Sequence, residues 1–128
     1  MLEFIKKKRK APPVNELEKL RDQLRVFAAE RDWDQFHSPK NLAAALSVEA
    51  AELLEIFQWL TEAQSQQLAP EVLEEVKKEI ADVLLYLIRI SDKLGIDPVA
   101  AAGEKIALNA EKYPVQKARG SSKKYTEF

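Results

Sequence analysis

The sequence predicts an all-α protein, built as a four-helix antiparallel bundle. Apolar residues recur every three or four positions in four separate segments, which is the spacing of one helix face. No segment alternates polar and apolar residues between hairpin turn signals, as strands do. The connections between the four segments are short, and short connections join antiparallel neighbours in a bundle.

The first helix is predicted from a capping box and an apolar series. Asn15 and Glu18 have the spacing at which an N-cap side chain and a glutamate exchange hydrogen bonds with the backbone. Leucines and a phenylalanine then recur at helical spacing, which predicts a helix over about residues 15–30. Aromatic side chains crowd residues 31–38, which we expect to form a loop.

The second helix is predicted to run from about residue 39 to 60. Ser38 supplies an N-cap, and Pro39 occupies the first helical position, where the missing N–H costs no hydrogen bond. Thr61 and Gln64 also have capping spacing, and they predict a short helix in the polar segment that follows.

Prolines and a glycine bound the third and fourth helices. Pro70 is followed by glutamates, which favour a helix N-terminus because of its dipole, and Gly95 is placed to cap the C-terminus. Asp97 and Pro98 start the fourth helix, which ends at Tyr113–Pro114.

We divide the chain into a helical domain, residues 14–114, and two basic flanking segments. Residues 1–13 carry the basic run Lys6–Lys10 and are expected to be a disordered tail, while residues 115–128 are expected to be extended. A chain of 128 residues suffices for one well-cored domain, and its 46% apolar content excludes wholesale disorder.

Composition excludes several kinds of functional site. The absence of cysteine rules out disulfides, thiolate metal sites and cysteine nucleophiles. The single histidine, His37, rules out multi-histidine zinc sites, and three glycines leave no room for a glycine-rich phosphate loop. The 20 basic and 21 acidic residues nearly balance, so nucleic-acid binding is not expected. Any catalysis must therefore rely mainly on carboxylates.

Membrane and secretory signals are not expected in this chain. The densest apolar run, Ile80–Ile90, contains an aspartate and an arginine and is shorter than the roughly 18 residues of a membrane helix. Residues 1–10 place their apolar side chains before their charges and lack a signal-peptide core. We therefore expect a soluble, cytoplasmic protein.

Glu49 lies in the middle of the apolar stripe of the second helix. At about 100° per residue, Leu42 and Ile56 lie about 20° to either side of it, and Glu52 lies about 60° away at the border of the stripe. A carboxylate on a core-facing line is costly unless it pairs with a basic residue or binds a metal. Both interpretations are open from this helix alone.

Glu79 and Asp82 form a second acidic pair, on the third helix. They share a stripe with Tyr86 and Arg89, which taken alone is typical of a solvated face with an ion pair between Lys78 and Asp82. Their spacing repeats that of the pair on the second helix, so the two helices packed together offer four oxygen ligands. Oxygen-only clusters suit Mg²⁺ or Mn²⁺, and Mg²⁺ commonly bridges to substrate phosphates.

Further candidate binding residues lie elsewhere in the chain. Lys105, Asn109 and Lys112 share a face of the fourth helix that either holds phosphate oxygens or is a solvated lysine face. Five aromatic or imidazole side chains either stack on a nucleobase or pack in the core; these are Trp33, Phe36, His37, Trp59 and Tyr86.

These residues resemble the all-alpha nucleoside triphosphate pyrophosphohydrolases, the superfamily of the MazG-like proteins and the dimeric dUTPases. The motif ExxE at Glu49–Glu52 is followed, after 26 residues, by ExxD at Glu79–Asp82. The segments FAAERDWDQFHSPKNL (27–42) and KYPVQKARGSSKKYTEF (112–128) are similar to the dCTP pyrophosphatase group of that superfamily. The resemblance covers nearly everything from residue 15 to the C-terminus.

The resemblance implies a MazG-like fold assembled as a dimer or a dimer of dimers. It implies Mg²⁺ held by Glu49, Glu52, Glu79 and Asp82, and the oxygen-only ligands leave Mn²⁺ as the alternative. It also implies hydrolysis of a nucleoside triphosphate, most of all dCTP or a modified dCTP, to the monophosphate and pyrophosphate.

The resemblance also assigns substrate-binding positions. Lys105 and Asn109 match positions that contact phosphates or sugar. The positions that form the base and sugar pocket are matched by Trp33, His37, Trp59 and Tyr86.

Catalysis is expected to involve Glu49 together with Glu52 and Glu55. Either Glu52 or Glu55, as a carboxylate not fully used by the metal, positions or deprotonates the attacking water. Two alternatives stay open. One is a non-catalytic helical interaction module whose acids form inter-helix salt bridges, and the other is a pyrophosphohydrolase with a different base preference such as dUTP.

Overall fold

The structure, a computed structural model, describes residues 15–128. The basic run Lys6–Lys10 and the predicted tail lie outside the described residues. Within residues 15–128 the regular structure is helical throughout, which confirms the all-α prediction. The α-helices are α1 (Glu16–Glu30), α2 (Pro39–Phe57), α3 (Glu62–Ser65), α4 (Pro70–Lys93), α5 (Pro98–Lys112) and α6 (Val115–Ala118). No helix among residues 15–128 combines the length and the hydrophobicity required to cross a lipid bilayer.

The N-termini of α1, α2 and α5 carry the side-chain caps that the sequence predicts. The side chain of Asn15 accepts a hydrogen bond from the Glu18 N–H at 2.8 Å, and the Glu18 carboxylate accepts one from the Asn15 N–H at 3.3 Å. Ser38 Oγ accepts from the Asn41 N–H at 3.2 Å, and Asp97 caps α5 in the same manner. These caps satisfy N–H groups that have no partner inside the helix.

The end of α2 differs from the prediction. The helix ends at Phe57 rather than near residue 60, because the Leu60 N–H donates to the Phe57 carbonyl at 2.9 Å and turns the chain. Thr61 and Gln64 then form the predicted capping box of α3. Helix α2 therefore ends before Thr61, which has to serve as the N-cap of α3.

Gly95 ends α4 as predicted, in a left-handed conformation with φ of 66°. The Ile96 N–H donates to the Ser91 carbonyl at 2.9 Å, and the Gly95 N–H donates to the Asp92 carbonyl at 3.2 Å. This pair of bonds is the Schellman motif, which favours glycine because a side chain is strained at positive φ.

The C-terminal segment, residues 115–128, is not the simply extended chain predicted from the sequence. It contains α6 and a 3₁₀ turn at Tyr125–Glu127. The rings of Tyr125 and Phe128 pack edge-on against Tyr113, at 5.9 and 5.7 Å between centroids. Aromatic contacts with the end of α5 therefore fold this segment back, an effect that its polar composition does not reveal.

Helix α4 is the centre of the fold. Helices α2 and α1 both pack against it. The buried apolar side chains of the described residues lie on these three helices, and they are Ala28, Leu42, Val76 and Ile88. Helix α5 is different, because it buries no residue and leaves Ile106 71% exposed.

A bidentate ion pair fastens α1 to the C-terminal end of α4. Arg25 donates to both carboxylate oxygens of Asp92, at 2.8 and 2.5 Å. The hydrogen bonds from Arg25 hold the pKa of Asp92 below its ordinary value of 3.8. Asp92 therefore stabilises the fold above that pH, and this contribution is lost as the pH falls through its lowered pKa.

We expect Asp92→Asn to lower the midpoint of thermal unfolding at pH 7 by roughly 5 °C, because it removes the charged partner of Arg25. The difference from the wild type should shrink below pH 3.8, where the native carboxyl also becomes neutral. Thermal melts between pH 2 and 7 measure both effects. Asp22→Asn, at an exposed ion pair, serves as the control and should have a smaller effect. Equal losses in the two variants would contradict the assignment.

Candidate active site

Three carboxylates from α2 and α4 meet where the two helices pack. Glu49, Glu79 and Asp82 each contribute one oxygen, and these oxygens lie within 4.8 Å of one another. All three side chains are half-buried. The packing of α2 on α4 thus brings together residues from both predicted acidic pairs.

Two oxygens of this carboxylate cluster lack hydrogen-bond partners. The Oε2 atoms of Glu49 and Glu79 are buried and accept no hydrogen bond. A buried acceptor without a donor is destabilising, and a bound cation would satisfy both oxygens, so the cluster could hold a metal ion.

Burial and neighbouring acids raise the pKa of Glu49 and of Glu79. The pKa of Glu49 is raised to about 7, first by the neighbouring Glu52 carboxyl, then by burial and by the charge of Asp82. The pKa of Glu79 is also raised, by burial and then by Glu52. Two carboxylates that crowd one site cannot both ionise freely, because their like charges repel.

The salt-bridge interpretation of these acids does not fit the geometry. Among residues 15–128, the ion pairs of lysine and arginine side chains involve other acids, and the predicted pair of Lys78 with Asp82 does not form. The donor set of the cluster is all oxygen, and its charge is negative. It therefore fits a hard divalent cation such as Mg²⁺ or Mn²⁺.

Glu52 and Glu55 lie along the same interface, next to the carboxylate cluster. Glu52 is close enough to raise the pKa of both Glu49 and Glu79, although it does not belong to the group of three oxygens. Glu52 and the exposed Glu55 line an open groove between α2 and α4, together with Lys78. The groove gives water access to both carboxylates.

A cavity of about 210 Å³ lies beside Asp82. Its lining is mainly aromatic and apolar, and includes Leu24, Phe27, Trp33, His37, Asp82 and Tyr86. The Trp33 ring lies 5.7 Å from Phe27 and 6.2 Å from His37, measured between ring centroids. Three of the four predicted base-pocket residues therefore meet in this aromatic cavity.

The remaining predicted substrate residues lie outside the aromatic cavity. Trp59 follows the end of α2 and is 86% exposed. Lys105 and Asn109 are exposed on α5, the helix that buries no residue. A single chain thus brings together the acids and part of the predicted base pocket, without the predicted phosphate contacts.

Arg89 and Asp34 are site residues that sequence reasoning did not identify. The Arg89 side chain is buried, donates from Nε to His37 Nδ1 at 3.1 Å, and also donates to the Asp34 carboxylate. Asp34 accepts a further hydrogen bond from Lys93 Nζ at 2.9 Å. The available signal was an arginine inside the densest apolar run, Ile80–Ile90, where a charge needs a specific partner.

Comparison with known proteins agrees with this geometry. Residues 44–128 match the model of the MazG-like family. The chain is 42% identical to dCTP pyrophosphatase 1 from Homo sapiens over 118 residues, which is 91% of this chain and 69% of that protein. It is 41% identical to the protein of the same name from Rattus norvegicus, over the same shares of the two chains.

A solved structure shows the same architecture. The crystal structure of a pyrophosphatase from Archaeoglobus fulgidus superposes with a TM-score of 0.71 and 44% sequence identity. The superposition covers 83% of this chain and 99% of that one. The family match and the level of identity together show that the chain belongs to the MazG-like family.

Proposed function

We propose that this protein is a magnesium-dependent nucleoside triphosphate pyrophosphohydrolase that prefers dCTP or a modified dCTP. The observation that carries the proposal is the cluster of three carboxylate oxygens within 4.8 Å, beside the aromatic cavity. The names of the relatives, dCTP pyrophosphatase 1, support the choice of base. Such an enzyme would act on the cytoplasmic nucleotide pool.

The metal ligands in this proposal are Glu49, Glu79 and Asp82, with Glu52 as the fourth carboxylate. The unpartnered oxygens of Glu49 and Glu79 support this assignment, since they are buried and have no protein donor. When bound, Mg²⁺ supplies charge neutralisation for the triphosphate and for the leaving pyrophosphate. Mn²⁺ has the same preference for oxygen ligands and is the alternative.

Glu52 and Glu55 are the candidates for handling the attacking water. Both line the open groove next to the carboxylate cluster, where a carboxylate can accept a proton from water. Glu52 is half-buried and adjacent to Glu49, so its charge is held close to the proposed metal ligands. Glu55 is more exposed and can transfer a proton to solvent.

The aromatic cavity holds the base and the sugar in this proposal. Trp33 and Tyr86 offer ring surfaces, and His37 offers a polar group. Tyr86 lies one helical turn after Asp82, so a nucleotide whose base occupies the cavity would have its phosphates close to the acids. We assign to Tyr86 the space that a ribose 2′-hydroxyl would need, which would favour deoxynucleotides.

A second copy of the chain completes the site in this proposal. Helix α5 buries no residue within its own chain, and its apolar side chains Val99, Ile106 and Leu108 are 49%, 71% and 51% exposed. A helix that is apolar and unpartnered needs another surface to pack against. A homodimer or homotetramer provides that surface, and it can bring Lys105 and Asn109 to a neighbouring subunit's acids.

We expect Glu49→Ala and Asp82→Ala each to lower magnesium-dependent pyrophosphate release from dCTP by about 100-fold or more, because each removes a metal ligand. Glu74→Ala, at an exposed acid of α4, is the matched control and should retain activity. The measurement is kcat/KM in a coupled pyrophosphate assay. Wild-type turnover in either site variant would contradict the proposal.

The same assay separates the alternatives for substrate and class. A panel of dCTP, 5-methyl-dCTP, dUTP, dTTP and CTP should show the highest kcat/KM for the two dCTP substrates. A preference for dUTP would overturn the proposed base. An interaction module predicts no turnover, and no rise in melting temperature with magnesium and any nucleotide.

We expect the protein in solution to have two or four times the 14.6 kDa mass of the chain. Ile106→Lys should weaken this association at least 10-fold, since it places a charge on the exposed apolar face of α5. Glu104→Lys, on the same helix, serves as the control for an added charge. Light scattering across micromolar concentrations measures the mass, and a wild-type monomer throughout that range would contradict the assembly.

A further inference from the structure

The hydrogen bond between Arg89 and His37 fixes where the imidazole carries its proton. Arg89 Nε donates to His37 Nδ1 at 3.1 Å. A guanidinium has only donors and keeps its charge at every physiological pH, so Nδ1 must be the acceptor. A neutral His37 therefore carries its proton on Nε2.

Ion pairs hold Arg89 in this orientation from two further sides. Its Nη2 donates to Asp34, and its Nη1 lies 3.8 Å from Asp92. The Arg89 side chain is only 6% exposed. Turning the guanidinium away from His37 would disturb these pairs and leave buried charge without a partner. The contacts of Arg89 with Asp34 and Asp92 thus hold its Nε–H in place as the donor to His37 Nδ1.

His37 is also held in its neutral form. Burial lowers its pKa below 6.5, and the positive charge of Arg89 acts in the same direction. Lys93 adds to the lowering, whereas the Asp34 carboxylate opposes it. At neutral pH the ring is then a neutral imidazole.

We propose that Arg89 is a positioning residue, which fixes His37 as a neutral Nε2–H donor in the aromatic cavity. The cavity then selects a nucleoside whose base presents a hydrogen-bond acceptor to His37. His37 lines the cavity together with Trp33 and Tyr86, whose rings offer stacking surfaces for a base. The choice of a nucleoside as the ligand rests on the proposed function. The assignment of the His37 tautomer rests only on its contact with Arg89. A base that turns a donor toward His37 is disfavoured, because two donors cannot pair.

Imidazole nitrogen NMR tests this directly, since the chain has a single histidine and the spectrum contains one ring. In the metal-free, full-length protein at pH 7, long-range ¹H–¹⁵N correlations should show the Nε2–H tautomer. A ring that carries its proton on Nδ1, or that is doubly protonated at pH 7, would overturn the inference. This measurement needs no variant and no substrate.

Arg89→Met tests the positioning role, because it removes the donor to Nδ1. We expect a mixture of tautomers, a His37 titration midpoint closer to 6.5, and a KM for dCTP about 10-fold higher, with a smaller change in kcat. Lys93→Met is the matched control, since it also removes a cation from Asp34 but leaves the Arg89 contact with His37. The control should keep the Nε2–H tautomer.

Other outcomes separate this inference from the proposed function. If Arg89→Met does not fold, Arg89→Lys takes its place, because lysine keeps the charge without the fixed guanidinium geometry. The same pure Nε2–H tautomer in the wild type and the Arg89 variant would overturn the positioning role. Absence of any triphosphate turnover would overturn the proposed function while leaving the tautomer result valid.

Discussion

Repulsion between carboxylates at the contact of α2 and α4 is the constraint on which the rest of this structure depends. Glu49 and Glu79 each bury one carboxylate oxygen in the interface between α2 and α4, and neither oxygen has a hydrogen-bond donor. Glu52 and Asp82 add charge, and together with burial they raise the pKa of Glu49 to about 7. A helix pair built this way loses stability without a cation, so the arrangement fits binding better than structural support.

The chain separates its acids into two groups that its formal net charge of −1 conceals. Asp34 pairs with Arg89 and fastens the segment before α2 to the second half of α4. Asp92 pairs with Arg25 and fastens α1 to the same part of α4. The acids of the carboxylate cluster have no such partners among residues 15–128. Arg25, Arg89 and Lys93 are engaged with Asp34 and Asp92, and the cluster forms no ion pair among residues 15–128, so its negative charge stays available for a cation. Helix α4 thus carries both Arg89, which positions a side chain of the cavity, and two acids of the cluster, Glu79 and Asp82.

The helices and the acidic pairs could be predicted because their signals are local. The capping box of Asn15 and the three-residue spacing of the acids need only a few neighbours in sequence. The role of Arg89 could not be predicted, since its partners His37 and Asp34 lie 52 and 55 positions away and meet it only after the helices pack. The exposed face of α5 raises the same difficulty, because its proposed partner belongs to another copy of the chain.

Thermal unfolding of the wild type and Glu49→Gln, with and without magnesium at pH 8, tests the central claim most directly. Without metal, Glu49→Gln should melt at a higher temperature, because it removes one of the repelling charges. Magnesium should raise the melting temperature of the wild type and have little effect on the variant. Glu74→Gln, an exposed acid of α4, should behave like the wild type. A less stable Glu49→Gln, with no magnesium response in either protein, would show that the cluster is structural and contradict the account.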